Sequence, residues 1–435
     1  MHLTLIERNP PVARGLAYRI WDDSMLLNVP AGNMSALADE PGHFRDYCRD
    51  IDPAFNAGSF VPRRLFGDYL EHTLAAAERQ GEVPLTRLRA EAEAEAVGVR
   101  RGADARQFEI SLADGGMLLA DRVVLALGHL GAQRLRFADP LLGSGRYIGN
   151  PWDYAEMDHI PAGQPVLVVG TGHTAIDAIF RLSSRDDERK VILLSRRGLL
   201  PKGHRTLPQA PATTVFPSYL EALPPTALAH LRAVRREVRM RQIEGGNWRD
   251  VINALRPHTP EIWRRLPDRE RRRFLARVAP WWDIHRHRLA PSAARRLRAM
   301  LQSGQAEVVA GRVLEMRRCG QQVEVRVQPR SGGEPRELEV AAVVNCTGPD
   351  YDIGRLDASA LVSQLRDEGY IRADRQRIGI EADDGYRVVD ARGEAVQGLH
   401  YVGPMLRARY WEAIAVPELR RHAQDLVRWL LASRP

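Results

Sequence analysis

Apolar residues along the chain gather into short unbroken runs, most of them closed by a glycine or a charged residue, and such runs read as β-strands. The first, Leu3 to Ile6, ends in Glu7-Arg8. A second region, residues 97 to 127, holds FEISL, a turn at Asp114-Gly115-Gly116 and the run ADRVVLALG, which stops at Gly128. The same plan returns later as VEVRV, a turn around Ser331-Gly332-Gly333 and LEVAAVVNCTG, which stops at Gly348. Architecture is repeated here without repetition of sequence: a hairpin feeds a strand that halts at glycine. Val166 to Val169 and VILLS make a further pair of runs, and LHYVG lies near the C-terminus.

Helical periodicity fills the spaces between. Phe60 to Glu71 continue into a helix with an apolar stripe at Leu65, Tyr69, Leu70 and Leu74. Tyr219 to Leu301 form an arginine-rich helical segment punctuated by prolines, and Val416 to Leu431 a last helix. Ser24 to Ser35 (SMLLNVPAGNMS) mix apolar residues with Pro, Gly and Asn and read as a structured loop.

The sharpest chemical signal is PVLVVGTGHTAIDAIFRL. A strand runs into Gly170-x-Gly172-x-x-Ala175 and then an amphipathic helix. Gly170 allows a tight turn, Gly172 lets backbone approach a pyrophosphate, and Ala175 lets helix pack closely on strand. The helix N-terminus adds partial positive charge. The next strand ends at Ser195-Arg196-Arg197. An NAD-binding fold places an acidic residue about there for the ribose hydroxyls. Arginines in its place suit a 2′-phosphate and favour NADPH over NADH. Two solvated arginines in an arginine-rich chain are the plain alternative.

Glu7, at the end of the first strand, looks like the acidic residue of another dinucleotide fold, set on the adenosine ribose of FAD. The glycine loop of such a fold precedes the acidic residue by about 20 positions, yet six residues precede Glu7. The expectation is a chain lacking the first strand and glycine loop, holding FAD poorly and leaving an open slot beside Leu3 to Ile6.

Composition narrows the classes. At 435 residues the chain suits about two domains. The net charge of +8 comes almost wholly from arginine, interleaved with Asp and Glu, and such a balance speaks to solubility and steering rather than to nucleic acid. Three scattered cysteines, Cys48, Cys319 and Cys346, exclude a C-x-x-C relay or zinc ribbon. No apolar run approaches the roughly 20 residues that span a bilayer, and no signal peptide is evident, so a cytoplasmic location is expected.

The segments RGLAY, LLNVPAGNMSAL, FVPRRLFGDYL, VVLALGH, NPWDY, GTGHTAID, LSRRGLLPKGHR, WWDIHRHRLAP, VVNCTGPD and GPMLRARYWEAIAVPELR carry a resemblance. From about Leu3 to Leu430 the chain resembles bacterial FAD/NAD(P)-binding proteins related to flavin-containing monooxygenases and N-hydroxylases. The resemblance implies that Glu7, the loop Asn28-Val29-Pro30 to Met34-Ser35, Arg63, Gly128-His129 and Gly403-Pro404 surround FAD. It implies that Gly170, Gly172, Thr174, Arg196 and Arg197 hold NADPH. One departure matters: the related monooxygenases carry F-x-G-x-x-x-H, whereas Asp153 stands at the histidine position of Tyr147-Ile-Gly149-Asn-Pro-Trp-Asp153.

The expected fold is α/β, with two Rossmann-like dinucleotide-binding domains, the second inserted in the first, and a helical insertion. Residues 1–154 and 346–435 would make the FAD domain, with Gly128 and Gly348 ending its two nucleotide-facing strands. Residues 155–345 would make the NADPH domain, with the helical segment about 219–301 packed on it. No metal site is expected. Asp153, His285 and His287 are weak catalytic candidates; the two histidines belong to HRHR, on a strand or loop, where contact with cofactor phosphates or an anionic substrate competes with core packing by Trp281, Trp282 and His285. The expected activity is hydride transfer from NADPH to FAD, then to oxygen and a small substrate. The alternatives are an NADPH-flavin reductase or dehydrogenase without oxygenation, and a non-catalytic nucleotide-binding protein.

Overall fold

The computed structural model describes residues 2–8, 11–81, 84–88, 96–103, 107–185, 188–205, 215–355 and 359–432. Strand β1 (Leu3–Ile6) is followed by the long helix α1 (Arg63–Gln80) and by β2 (Leu85–Leu88), which pairs with β1 in parallel. Among the described residues β2 is the one neighbour of β1. An antiparallel meander follows, β3 (Ala96–Arg101), β4 (Phe108–Leu112) and β5 (Met117–Ala120). Then comes the short β6 (Val123–Leu125).

A larger sheet takes over after a crossover. Its strands in chain order are β7 (Tyr147–Ile148), β8 (Val166–Val169), β9 (Val191–Ser195), β10 (Ala306–Cys319), β11 (Gln322–Pro329), β12 (Arg336–Val340) and β13 (Ala342–Asn345). In space the order is β12-β11-β10-β9-β8-β13-β7, parallel from β10 to β7 and antiparallel from β10 to β12. Helix α2 (Tyr154–Asp158) leads into β8, and α3 (His173–Arg185) makes the β8–α3–β9 crossover. Every residue of β8 and β13 is buried, which is why both read as unbroken apolar runs. One face packs Ile176, Ile179 and Phe180 of α3 onto Val166, Val168 and Val191. The other seats Leu167, Ile192 and Leu194 against Val323, Val325 and Val327 of the hairpin.

The helical insertion contains α4 (Ala227–Ile243), α5 (Trp248–Leu255), α6 (Ala279–Arg286) and α7 (Pro291–Ser303). The Thr226 and Asn247 side chains cap α4 and α5 by accepting from Ala229 N and Arg249 N. Gly304 ends α7 in the left-handed region at φ 80°. The chain then returns through α8 (Ala360–Asp367), β14 (Arg387–Val389), β15 (Ala395–Tyr401) and the final helix α9 (Val416–Ala432). β15 pairs in parallel with β6, Leu399 opposite Val123, so strands from either side of the large sheet's segment meet.

Two sequence expectations need correction. The strand that stops before Gly348 is β13, which lies between β8 and β7 in the glycine-loop sheet. It is a partner of the NADPH-type fold and not of β6. Likewise β7 pairs with β13 although it precedes residue 154. A two-residue edge strand carries no periodicity to reveal it. The outgoing and returning crossovers also pair with each other. Gln133 N donates to Gly348 O (3.2 Å) and Asp350 N to Gly131 O (3.1 Å).

Candidate functional site

The glycine loop sits where the parallel strands end. Gly170 has φ 124°, and a Cβ there would lie 2.2 Å from the Cys346 carbonyl oxygen at the end of β13. Only glycine lets the two strand ends pass so closely. Gly172, by contrast, is exposed with nothing within 4 Å of an added Cβ. That leaves open room above its backbone at the N-terminus of α3, as a dinucleotide pyrophosphate requires. Ala175 is fully buried against the sheet, and Thr174 is half-buried in the first helical turn.

Ser195 ties this loop to the turn after β9. Its Oγ accepts from Thr171 Oγ1 (3.1 Å) and from Gly198 N (3.0 Å). The two arginines of that turn then part company. Arg196 is exposed and makes no hydrogen bond or ion pair among the described residues. Arg197 donates Nη2 to Ala276 O (2.9 Å) in the helical insertion. One arginine stands open to a phosphate and the other is partly held by the fold.

The residues expected around FAD are distributed less evenly. Glu7 is half-buried just past β1. Asn28 O accepts from His204 Nε2 (3.1 Å), which joins this loop to the segment after β9. Val29 packs at the edge of the cluster of Leu27, Phe44, Phe66 and Tyr69, and Pro30 opens a short 3-10 turn. Met34 is buried inside that cluster. Ser35 is buried too, its Oγ bonded to Leu37 O and Glu40 O. The side chains of Met34 and Ser35 therefore serve the loop's own packing and are not presented to a cofactor. Gly128, Gly348 and Gly403 all adopt positive φ, with open space beyond Gly128 and Gly348. Pro404 follows Gly403 as the first residue of a buried 3-10 turn.

Arg63 is the clearest revision. Its Nε donates to Leu26 O (3.1 Å) and its Nη1 lies 2.7 Å from Asp177 Oδ2 on α3. Burial pushes the Asp177 carboxyl up while the Arg63 guanidinium pulls it down. The arginine expected on the flavin thus locks the N-terminal segment onto the glycine-loop helix. Nothing in the sequence marks Asp177, since the signal in GTGHTAID lies in its small residues.

The weak catalytic candidates fare as follows. Asp153 caps α2, its side chain accepting from Glu156 N (3.1 Å). His285 lies in the last turn of α6, not on a strand or loop, and donates Nδ1 to Trp281 O (2.7 Å). Trp281 is 48% exposed, so it is not core packing, whereas Trp282 is half-buried and donates Nε1 to Glu412 Oε1 (3.0 Å). Burial, Arg286 and His173 hold the His287 imidazole well below its ordinary pKa.

At the crossovers, Tyr351 OH and His129 Nδ1 lie 3.3 Å apart, with the Arg407 guanidinium 5.6 Å from the Tyr351 ring centre. Burial, then Arg407, lowers the His129 pKa. Asp283 of α6 belongs to the same neighbourhood, and burial pushes its carboxyl up to about 6. That value suits a group exchanging a proton near neutral pH. No sequence motif marked it.

A family model described as FAD-NAD(P)-binding matches residues 1–130. No curated protein matches. Among solved structures, the reduced ornithine hydroxylase of Pseudomonas aeruginosa has a TM-score of 0.64 at 16% identity, covering 99% of this chain and 91% of that one. The FAD-bound cadaverine monooxygenase of Erwinia amylovora gives 0.63 at 14%, covering 99% and 88%. Lactococcus lactis thioredoxin reductase gives 0.50 at 12%, covering 99% and 92%. No described helix is long and apolar enough to cross a membrane. The chain thus has the two-domain nucleotide-binding fold of the flavoprotein oxidoreductases, with its FAD-NAD(P)-binding match over residues 1–130.

Proposed function

We propose that this chain is an NADPH- and FAD-dependent oxidoreductase that moves hydride from NADPH to FAD and delivers the electrons to oxygen and a small-molecule substrate in the cytoplasm. The observation that carries the reading is the open backbone at Gly172 above the α3 N-terminus, with the unpartnered Arg196 at the end of the adjacent strand. That pairing fits a dinucleotide with a 2′-phosphate. Gly172 and the α3 N-terminus would hold its pyrophosphate. Gly128, Gly403 and the Asn28 loop would border FAD, with Glu7 toward its ribose. FAD, when bound, supplies the hydride-accepting chemistry. The protein's own part is to align the two nucleotides across the Arg63–Asp177 contact, and Asp283 Oδ would carry a proton.

Oxygenation is favoured by the structural neighbours, which include an ornithine hydroxylase and a cadaverine monooxygenase. Both substrates are amines, so a primary amine is the first to try. A second reading, an NADPH-flavin reductase without oxygenation, is favoured by Asp153. It stands where the related monooxygenases carry histidine, and it is occupied with capping α2. The test is to add NADPH to FAD-loaded protein without oxygen and follow flavin absorbance, then admit oxygen with and without diamines. Bleaching by NADPH well ahead of NADH is expected, with hydroxylamine formed from an amine. Bleaching with peroxide alone selects the reductase reading, and no bleaching overturns both.

A further inference from the structure

In the HRHR stretch the histidines draw the eye, but the second arginine, Arg288, is the unusual group. Arg288 is 4% exposed. Its Nη2 donates to Asn253 Oδ1 (2.5 Å), while Nε and Nη1 are buried with no hydrogen-bond partner among the described residues. The basic residues around it each have an acidic or carbonyl partner, although Arg205 Nε and Arg286 Nε and Nη2 are also buried without a hydrogen bond among the described residues. Arg205 pairs with Asp250, Arg286 with Glu412 and Arg256 with Glu418. Arg249 donates to Gly203 O and Asn247 Oδ1. Among the described residues Arg288 has no carboxylate within ion-pair distance, and its guanidinium lies 5.8 Å from the centre of the Trp248 ring. Its own electrostatic surroundings are Arg286, Arg249, Arg205 and Arg256, which together with burial push its guanidinium down to about 9.

A buried charge without a counter-ion costs several kcal/mol and is ordinarily neutralised or paired. The position of this one is informative. The Arg288 carbonyl accepts from His173 Nε2 (3.2 Å) in the first turn of α3. After burial, the Arg288 charge is the largest influence on His204, which itself donates to Asn28 O. Arg288 therefore lies behind the meeting point of the glycine loop, the Asn28 loop and α5.

We propose that Arg288, flanked by Arg249 and His204, is the centre of a buried anion receptor that takes a carboxylate or phosphate group of a small molecule entering between the glycine loop and the Asn28 loop. The group has two sources: a phosphate of the nicotinamide dinucleotide or an acidic group on the substrate. Only the first source rests on the two-nucleotide reading. An arriving anion gains charge-assisted hydrogen bonds from Nε and Nη1 and relieves repulsion among the surrounding arginines. His173 and His204, both held neutral by burial, act as polar walls and do not compete as cations.

The experiment compares the intact chain with Arg288→Gln and Arg288→Lys. Thermal unfolding is followed with inorganic pyrophosphate, with succinate, and with chloride at matched ionic strength, and NADP+ affinity is measured by protein fluorescence. The receptor predicts saturable protection of the parent chain by pyrophosphate or succinate beyond chloride. Protection is lost in Arg288→Gln and partly kept in Arg288→Lys. It also predicts that Arg288→Gln without ligand is at least as stable as the parent, because an uncompensated charge has been removed. NADP+ binding weakened about tenfold or more in Arg288→Gln assigns the site to the dinucleotide. Unchanged NADP+ binding with lost protection assigns it to the substrate. If the parent chain does not bind NADP+ at all, the nucleotide reading fails while anion protection still decides this proposal. No protection of the parent by either anion, or a marked loss of stability in ligand-free Arg288→Gln, overturns it.

Discussion

Arg63 and Arg288 are hidden to nearly the same degree, 8% and 4% exposed, and each touches the first turns of α3, Arg63 at Asp177 and the Arg288 carbonyl at His173. Arg63 meets Asp177 at 2.7 Å, whereas Arg288, among the described residues, meets an amide oxygen, the Trp248 ring at 5.8 Å and other arginines, but no carboxylate. The contrast separates two uses of one residue type. A buried guanidinium with a carboxylate is a fixture between parts of the fold. One without a carboxylate is a site kept ready for something that arrives. Net worth is not the difference, since a buried ion pair roughly breaks even against apolar packing. What differs is the cost of removing a partner.

The largest effect should follow from breaking the fixture. Asp177→Ala or Arg63→Ala leaves one buried charge alone and should cost about 3–5 kcal/mol of unfolding free energy. Arg63→Met with Asp177→Leu together should recover most of that loss. Denaturant unfolding of the single and double variants measures the coupling. If the single variants lose nothing, Arg63 and Arg288 are alike and the contrast collapses.

Acid is the next probe, because it charges the polar walls beside both arginines. Burial, with Arg63 nearby, holds His173 down to about 4, and burial with Arg288 holds His204 down to about 3. Each folded-state value lies below that of the unfolded chain, near 6.5. Below that pH the unfolded state binds protons that the folded state refuses. The stabilisation is therefore complete above about pH 6.5 and is lost as pH falls toward the folded values, at roughly 1.4 kcal/mol per unit per histidine. Denaturant midpoints measured across this window should fall accordingly, and His173→Phe should flatten the slope. A flat profile in the parent chain would place these histidines in water.

Much of this architecture was legible beforehand. Val166–Val169, Gly170-x-Gly172-x-x-Ala175 and Val191–Ser195 predicted their own crossover, because a parallel buried strand is uniformly apolar and a close turn needs glycine. The helical segment was legible as well. What stayed hidden depended on partners distant in sequence. Arg63 and Asp177 are far apart along the chain, and neither spacing nor composition couples them. The strand before Gly348 looked like the strand before Gly128, since each follows a hairpin, and only hydrogen bonding assigns them to different sheets. Asp283 looks like any aspartate until burial raises its carboxyl.

Exposed Arg196 gives the intermediate case, without a partner among the described residues but in water. Replacing Arg196 with alanine should weaken NADPH about tenfold while leaving NADH nearly unchanged, since one charge-assisted contact to a phosphate is worth roughly 1.5–3 kcal/mol. Arg197→Ala should do less, because its Nη2 is engaged with Ala276 O. Fluorescence titration with both nucleotides reads the difference. Equal loss for NADPH and NADH would make the turn structural and leave Arg288 as the stronger claim to an anion.

The smallest effect concerns a negative charge that the fold has already used. Asp153 accepts from Glu156 N at the start of α2, so its carboxylate satisfies a helix-end donor and faces the positive end of the helix dipole. Asp153→Ala should cost about 1 kcal/mol of stability. Asp153→Asn should cost less, because an amide oxygen caps as well as a carboxylate. Neither change should alter the rate at which NADPH bleaches the flavin, since the Asp153 side chain is placed by its capping bond to α2. Stopped-flow reduction of the three proteins at one temperature decides the matter. A fall in reduction rate for Asp153→Asn, with stability kept, would return Asp153 to the chemistry and show that a charge held by the fold can still serve the reaction.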